Sequence, residues 1–135
     1  MSEIITNKLT GKTAAGNVTI TSEGGSATMQ LQQGVAKAFE LHDGGTTTVQ
    51  DSLNVSSLTD VSTGVQTVTF SNNMSSAIYV KSGSTGNENT NYGIIASTSY
   101  NAANTTSAFV YQTVNSTPSA IERNNHQTTV HGDLA

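Results

Sequence analysis

Cysteine is absent from this chain, proline occurs once, and lysine and arginine together number only five. Without cysteine there is no disulfide framework and no zinc–thiolate site, which fits synthesis in a reducing cytoplasm. Five scattered cations do not neutralise a row of phosphates, so nucleic acid is not an expected partner. No run nears the roughly 18 apolar residues of a membrane-spanning helix, so membrane insertion is not expected either. The opening "MSEIITNKLTG" lacks the charged-then-apolar order of a secretory leader. The five N-x-S/T sequons, at Asn17, Asn54, Asn73, Asn104 and Asn115, are therefore read as products of composition.

What fills the chain instead is Ser, Thr, Asn and Gln, about two-fifths of all residues and well above ordinary usage. Hydrophobic residues make up 34% and charged ones 10%. Disorder usually couples low hydrophobicity to high charge; here charge is scarce and the apolar positions are spaced as in strands. The expectation is an ordered, polar, all-β chain of one domain, or of a domain with an attachment segment. Its own core would be thin. With disulfides excluded and no cofactor indicated, oligomerisation is the remaining source of added stability.

Along the first third, "EIITNKLT", "GNVTITSEGG" and "SATMQLQQ" alternate apolar and hydroxylated residues between Gly-rich turns, the pattern of short half-buried strands. In "LQQGVAKAFEL" the spacing changes: Leu31, Val35, Ala38, Phe39 and Leu41 recur at three- and four-residue steps, which predicts one short helix ended by "HDGG". A boundary near Gly45 gives an attachment and oligomerisation segment over 1–45 and a β domain over 46–135. Strands are expected at 46–50, 52–60, 65–71, 76–82, 92–98, 106–114 and 127–131, with "SLNVSSLTDVSTGVQTVTFS" a hairpin about Ser62-Thr63-Gly64. Such a succession of strands and turns predicts a β-sandwich-like, jelly-roll-like domain. Its expected core is Leu53, Val55, Leu58, Val68, Phe70, Ile78, Val80, Ile94, Phe109, Tyr111 and Val130.

The segments "ITNKLTGKTAAGNVTIT", "LQQGVAKAF" and "DSLNVSSLTDVSTGVQTVTFSN", with the terminal "VHGDLA", resemble small tail-fibre-type virion proteins of marine tailed bacteriophages. The resemblance implies a structural appendage subunit, homotrimeric, made in the host cytoplasm and carried on the virion, where it docks on other virion proteins. A capsid decoration or head-fibre protein is the alternative. The expected inter-subunit or docking surface is Ile4, Ile5, Leu9, Val18, Ile20, Met29, Leu31, Val35 and Phe39.

Catalysis needs a nucleophile with its base, or two carboxylates in mutual reach, and no motif of either kind stands out. The function expected is non-enzymatic. His42 beside Asp43 reads as a solvated pair in a glycine turn. His126 and His131 are five apart, which on one strand places them on opposite faces. A metal would need one of them, His126 or His131, turned to a trimer axis; no metal or cofactor is predicted. The acidic residues are isolated, and "NENTN" holds a single carboxylate where a calcium loop needs several. A host-glycan site is the rival binding function. Tyr92 and Tyr100 with Asn91 and Asn101, beside Asn89 and Asn104, would supply a stacking plate and amides in the loops over 83–105.

Overall fold

The structure, a computed structural model, describes residues 4–12, 14, 18–21, 24–86, 103–115, 117 and 119–135, and the backbone of 94–96. The chain divides into two compact units, Met1–Val35 and Ala36–Ala135. Among the described residues it is nearly all β, in three antiparallel sheets with one single-turn helix.

In the first unit, β1 (Thr19–Thr21) pairs antiparallel with β2 (Thr28–Gln30), placing Ile20 opposite Met29. Gly25, at φ 72°, takes the left-handed backbone that the connecting turn requires. The ladder extends one step further, where the Leu31 amide donates to the Val18 carbonyl at 2.8 Å. The helix α1 spans only Leu31–Gly34 and has no side-chain cap. The expected helix through Leu41 does not form. Gly34 weakens it from within, and from Ala38 onward a strand buries alternate residues of the same segment. That strand belongs to the second unit, so the division falls at Val35, ten residues before Gly45.

The second unit holds two four-stranded sheets. One has the order β4 (Thr48–Leu53), β3 (Ala38–Asp43), β10 (Asn125–His131), β7 (Val80–Gly86). The other has the order β5 (Val55–Ser62), β6 (Val65–Phe70), β9 (Ala108–Val114), β8 (Ile94–Ala96). Between β4 and β5 the chain changes sheets within one residue, Asn54, whose φ of 57° is a conformation Asn tolerates better than most side chains. The Asn54 side chain holds the corner: Oδ1 accepts from the Asn72 amide at 2.7 Å, and Nδ2 donates to the Asn72 carbonyl at 3.1 Å.

Buried faces of both sheets contribute to one core of Ala38, Val68, Phe70, Met74, Phe109, Tyr111 and Val130, with Val55, Leu58 and Tyr79 packed against it. The expected hairpin is present as β5 and β6, but Leu53 lies on β4 in the other sheet and is exposed. Ile78 and Val80 are also outside the core, at 90% and 68% exposure. The reason is parity. The strand β7 starts at Val80, which faces outward, and Lys81 turns inward in its place, its ammonium 5.1 Å from the Phe109 ring centroid and donating to Asn104 Oδ1 at 2.7 Å. The Ile94 side chain lies outside the described residues.

The β5–β6 turn is locked to the opposite end of the chain. Gly64 has φ 66°; its amide donates to Glu122 Oε1 at 2.6 Å, and its carbonyl accepts from the Thr113 amide at 2.7 Å. A Cβ at Gly64 would lie 2.5 Å from the Ile121 carbonyl oxygen and 2.8 Å from the Ile121 nitrogen and the Thr113 oxygen. All three are backbone atoms and cannot swing aside. Gly64→Ala is therefore expected to lower unfolding stability by about 2–4 kcal/mol, from left-handed strain plus overpacking. Urea denaturation measures this, and a loss under about 0.5 kcal/mol would mean the turn is not so confined.

Candidate functional site

Two surfaces and one interior compete for a functional reading. The first surface is the apolar side of the N-terminal unit. Ile20 and Met29 are direct cross-strand partners and share one face, and Val18 and Leu31 are joined beyond them by a backbone hydrogen bond. Ile20 and Met29 are exposed and Val18 and Leu31 half-buried, while Leu9 and Val35 are also exposed. Ile4 and Ile5 are 84% and 86% exposed. Of the expected docking residues, Phe39 stands apart: it is half-buried on β3 of the second unit, opposite Leu53 and Thr129. The second surface, the loop bearing Tyr92, Tyr100, Asn91 and Asn101, lies outside the described residues. Asn104 is described, and its side chain accepts from Lys81.

The interior was not anticipated. His42, expected in a solvated turn, is completely buried on β3, because the strand continues to Asp43 and the turn begins only at Gly44. It belongs to a set of buried polar side chains from four strands: Glu40 and His42 on β3, Gln66 on β6, Tyr111 and Thr113 on β9, and His126 and Thr128 on β10. Thr128 donates to Glu40 Oε1 at 2.7 Å, and Glu40 Oε2 meets His42 Nδ1 in a very short contact. His42 Nε2 lies 2.8 Å from the Tyr111 hydroxyl, which donates to Gln66 Oε1 at 2.8 Å. Gln66 Nε2 completes the chain at the Gly44 carbonyl, 3.1 Å away.

Proton positions follow from these partners. The Tyr111 proton goes to Gln66, so Tyr111 accepts from His42, and His42 Nε2 carries a hydrogen. One further proton is shared between His42 Nδ1 and Glu40. Whichever atom holds it, the pair has no net charge, which is how a buried carboxylate is tolerated.

His126 stacks on His42 with ring centroids 4.9 Å apart and planes 20° apart, and its Nδ1 is 3.1 Å from Thr113 Oγ1. Its Nε2 is buried with no hydrogen-bond partner, beside Gly44. His126 thus faces into its own chain's core and is not available to a trimer axis, whereas His131 is on the opposite, partly exposed side of the same strand. Among the described residues no three His, Cys, Asp or Glu side chains converge as a metal site. No described helix is long and apolar enough to cross a membrane. A surface depression of about 310 Å³ is lined by Ser82, Gly83, Ser84, Gln127 and Thr129.

No family model, no curated protein and no solved structure matches the chain. What the chain can do is therefore read from these residues alone. The network orders protons and ties both sheets together, and its members have at most 4% of their surface exposed.

Tyr111 shows the strength of this enclosure. Burial, then the nearby carboxylates of Glu40 and Glu122, push its hydroxyl far above the usual tyrosine range. The unfolded chain ionises this group near pH 10 and the folded chain does not, so its contribution is complete below pH 10 and lost as pH rises beyond it. Tyr79, pushed up to about 12 by burial, adds to the same trend. The urea midpoint is expected to fall steeply above pH 10. Tyr111→Phe should remove most of that fall, while costing about 2–3 kcal/mol at pH 7 because Gln66 and His42 each lose a partner. An unchanged alkaline slope in the variant would contradict the buried assignment.

Proposed function

We propose that this protein is a non-enzymatic structural subunit that works by assembly, a tail-fibre-like appendage subunit of a bacteriophage virion. Three copies associate, and the N-terminal unit supplies the contacts to neighbouring copies and to other virion proteins. The second unit, read as a β-sandwich, is the rigid body that this assembly displays. The observation that carries the proposal is the state of the first unit: none of its described residues is buried, yet Ile20 and Met29 stand exposed side by side on the ribbon and Ile4, Ile5, Leu9 and Val35 are exposed as well.

Fully burying an Ile or Met side chain is worth about 1.5–3 kcal/mol. A two-stranded ribbon has no layer of its own against which to recover that energy. A subunit interface of standard size covers about 800 Å² per partner, enough to enclose Val18, Ile20, Met29 and Leu31 together with the flanking isoleucines. Enclosure also removes the open edges of the ribbon, which are otherwise an invitation to indiscriminate pairing.

Light scattering on the full chain at micromolar concentration tests this reading. The expected mass is that of three chains, and the double variant Ile20→Asp/Met29→Asp should run as a single chain while the second unit keeps its urea midpoint. A single-chain mass for the unaltered protein up to about 100 µM would overturn self-assembly. A trimer that survives the double variant would place the interface elsewhere.

A further inference from the structure

The polar half of the second unit's core contains more titratable groups than the proton chain needs. Glu40, His42, Tyr111 and Gln66 form a closed sequence of donors and acceptors. His126 stands outside it: stacked on His42, held only through Nδ1 by Thr113, with Nε2 buried and unpartnered. We propose that His126 is the trigger of an acid-operated lock, which keeps this end of the second unit closed while the ring is neutral and releases it when the ring takes a proton.

Every element packed around His126 bears on that proton. From β3, His42 lies against the ring face and disfavours a charge on it, while Asp43 at the strand's end favours one. From the segment before β10, the Arg123 guanidinium opposes it, and the Arg123 carbonyl favours it without being aligned as a hydrogen bond. From β9, Tyr111 and Thr113 are neutral, with the Tyr111 ring centroid 5.7 Å away. From β7, Thr85 is the register partner of His126 and carries no charge. Burial is the largest influence and the His42 stack the second. Together they press the imidazole down to about 4 from its ordinary 6.5.

Gly44 allows no local adjustment. A Cβ there would already fall within 2.5 Å of the Arg123 oxygen, so the turn, the ring and the strap at 121–123 fill the space between them. The Arg123 carbonyl, which favours a charged ring, is not aligned to accept from Nε2 as these segments stand. Three backbone bonds close this end: the Gly44 amide to the Arg123 carbonyl, the Ile121 amide to the Thr113 carbonyl and the Thr113 amide to the Gly64 carbonyl. The other end of the unit, closed by Phe70 to Ser107 and Met74 to Thr106, lies in the apolar half of the core.

The sign follows from linkage. An opened end lets His126 titrate near 6.5, and the closed end does not until about 4. Closure is therefore strongest above pH 6.5 and weakens as pH falls through that window, by up to tenfold per pH unit.

Hydrogen exchange on the full chain reads this directly. Between pH 7 and pH 4.5, protection factors at Gly44, Thr113 and Ile121 are expected to fall roughly fiftyfold, and those at Phe70 and Met74 to hold within a few-fold. His126→Asn, which keeps a hydrogen-bonding partner for Thr113 but cannot titrate, should flatten the response at the first three sites. An equal fall at both ends, or an undiminished fall in the variant, would overturn the lock. Should the variant not fold, the imidazole resonances of the unaltered protein decide: His126 neutral down to pH 5 supports the proposal, and titration near 6.5 refutes it.

Discussion

Glu40 sits on the inner face of β3 with about 1% of its surface exposed, and a carboxylate so placed needs partners for the water it has lost. Thr128 satisfies one oxygen and His42 the other, and the proton that His42 sends on to Tyr111 obliges Tyr111 to look to Gln66. The chain ends on the carbonyl of Gly44, the first residue after β3. One buried acid thus recruits side chains from β3, β10, β9 and β6, two strands of each sheet. Apolar packing holds two sheets together but leaves their offset loosely defined, whereas a run of directional bonds admits one arrangement.

The core is accordingly divided. Phe70, Phe109, Met74, Val68 and Val130 fill one half by contact alone, with the aromatic rings at tilted and edge-on angles. Tyr111 belongs to both halves, its ring against Phe109 and its hydroxyl in the network. Two glycines then close the polar end. Gly44 leaves room for the His126 ring, and Gly64 lets the β5–β6 turn reach the backbone at Thr113 and Ile121. A polar interior of this kind has little tolerance for partial loss, because each group removed strands the next one along.

Much of the second unit was legible in the order of residues. The β5–β6 hairpin follows from alternation about Thr63-Gly64, and His126 and His131 face opposite ways because five is odd. What failed is instructive. In "LQQGVAKAFEL" the three- and four-residue spacing of Leu31, Val35, Ala38, Phe39 and Leu41 concealed a strand whose buried set is Ala38, Glu40 and His42, the less hydrophobic parity of the two. A rule that seeks the apolar face chooses the wrong side there. At β7 the same rule buried Ile78 and Val80 when Lys81 is the residue turned inward. The polar network was invisible for the same cause: its contacts between strands join residues 13 to 88 apart in the chain, and it takes the β3–β10 pairing to bring Thr128 to Glu40 and the packing of one sheet on the other to bring Tyr111 to His42. The one available hint was composition, since 34% hydrophobic residues do not fill two inner faces.

That scarcity makes the first unit's exposed apolar residues harder to dismiss. Ile4, Ile5, Ile20 and Met29 stand in water in a protein whose core takes in Glu, Gln and two histidines for want of larger apolar side chains. Isolated exposed hydrophobic residues are ordinary. A facing pair of them on a ribbon, with further ones nearby in sequence, in a unit none of whose described residues is buried, is not. Each such side chain left uncovered forgoes roughly the stabilisation that one buried core residue provides. The two units therefore differ in what they lack. The second has a core of its own, apolar in one half and hydrogen-bonded in the other, with His126 Nε2 the atom left unpartnered beside the network. The first reaches comparable burial only when another surface lies against it, and the proposed assembly of three chains provides that surface.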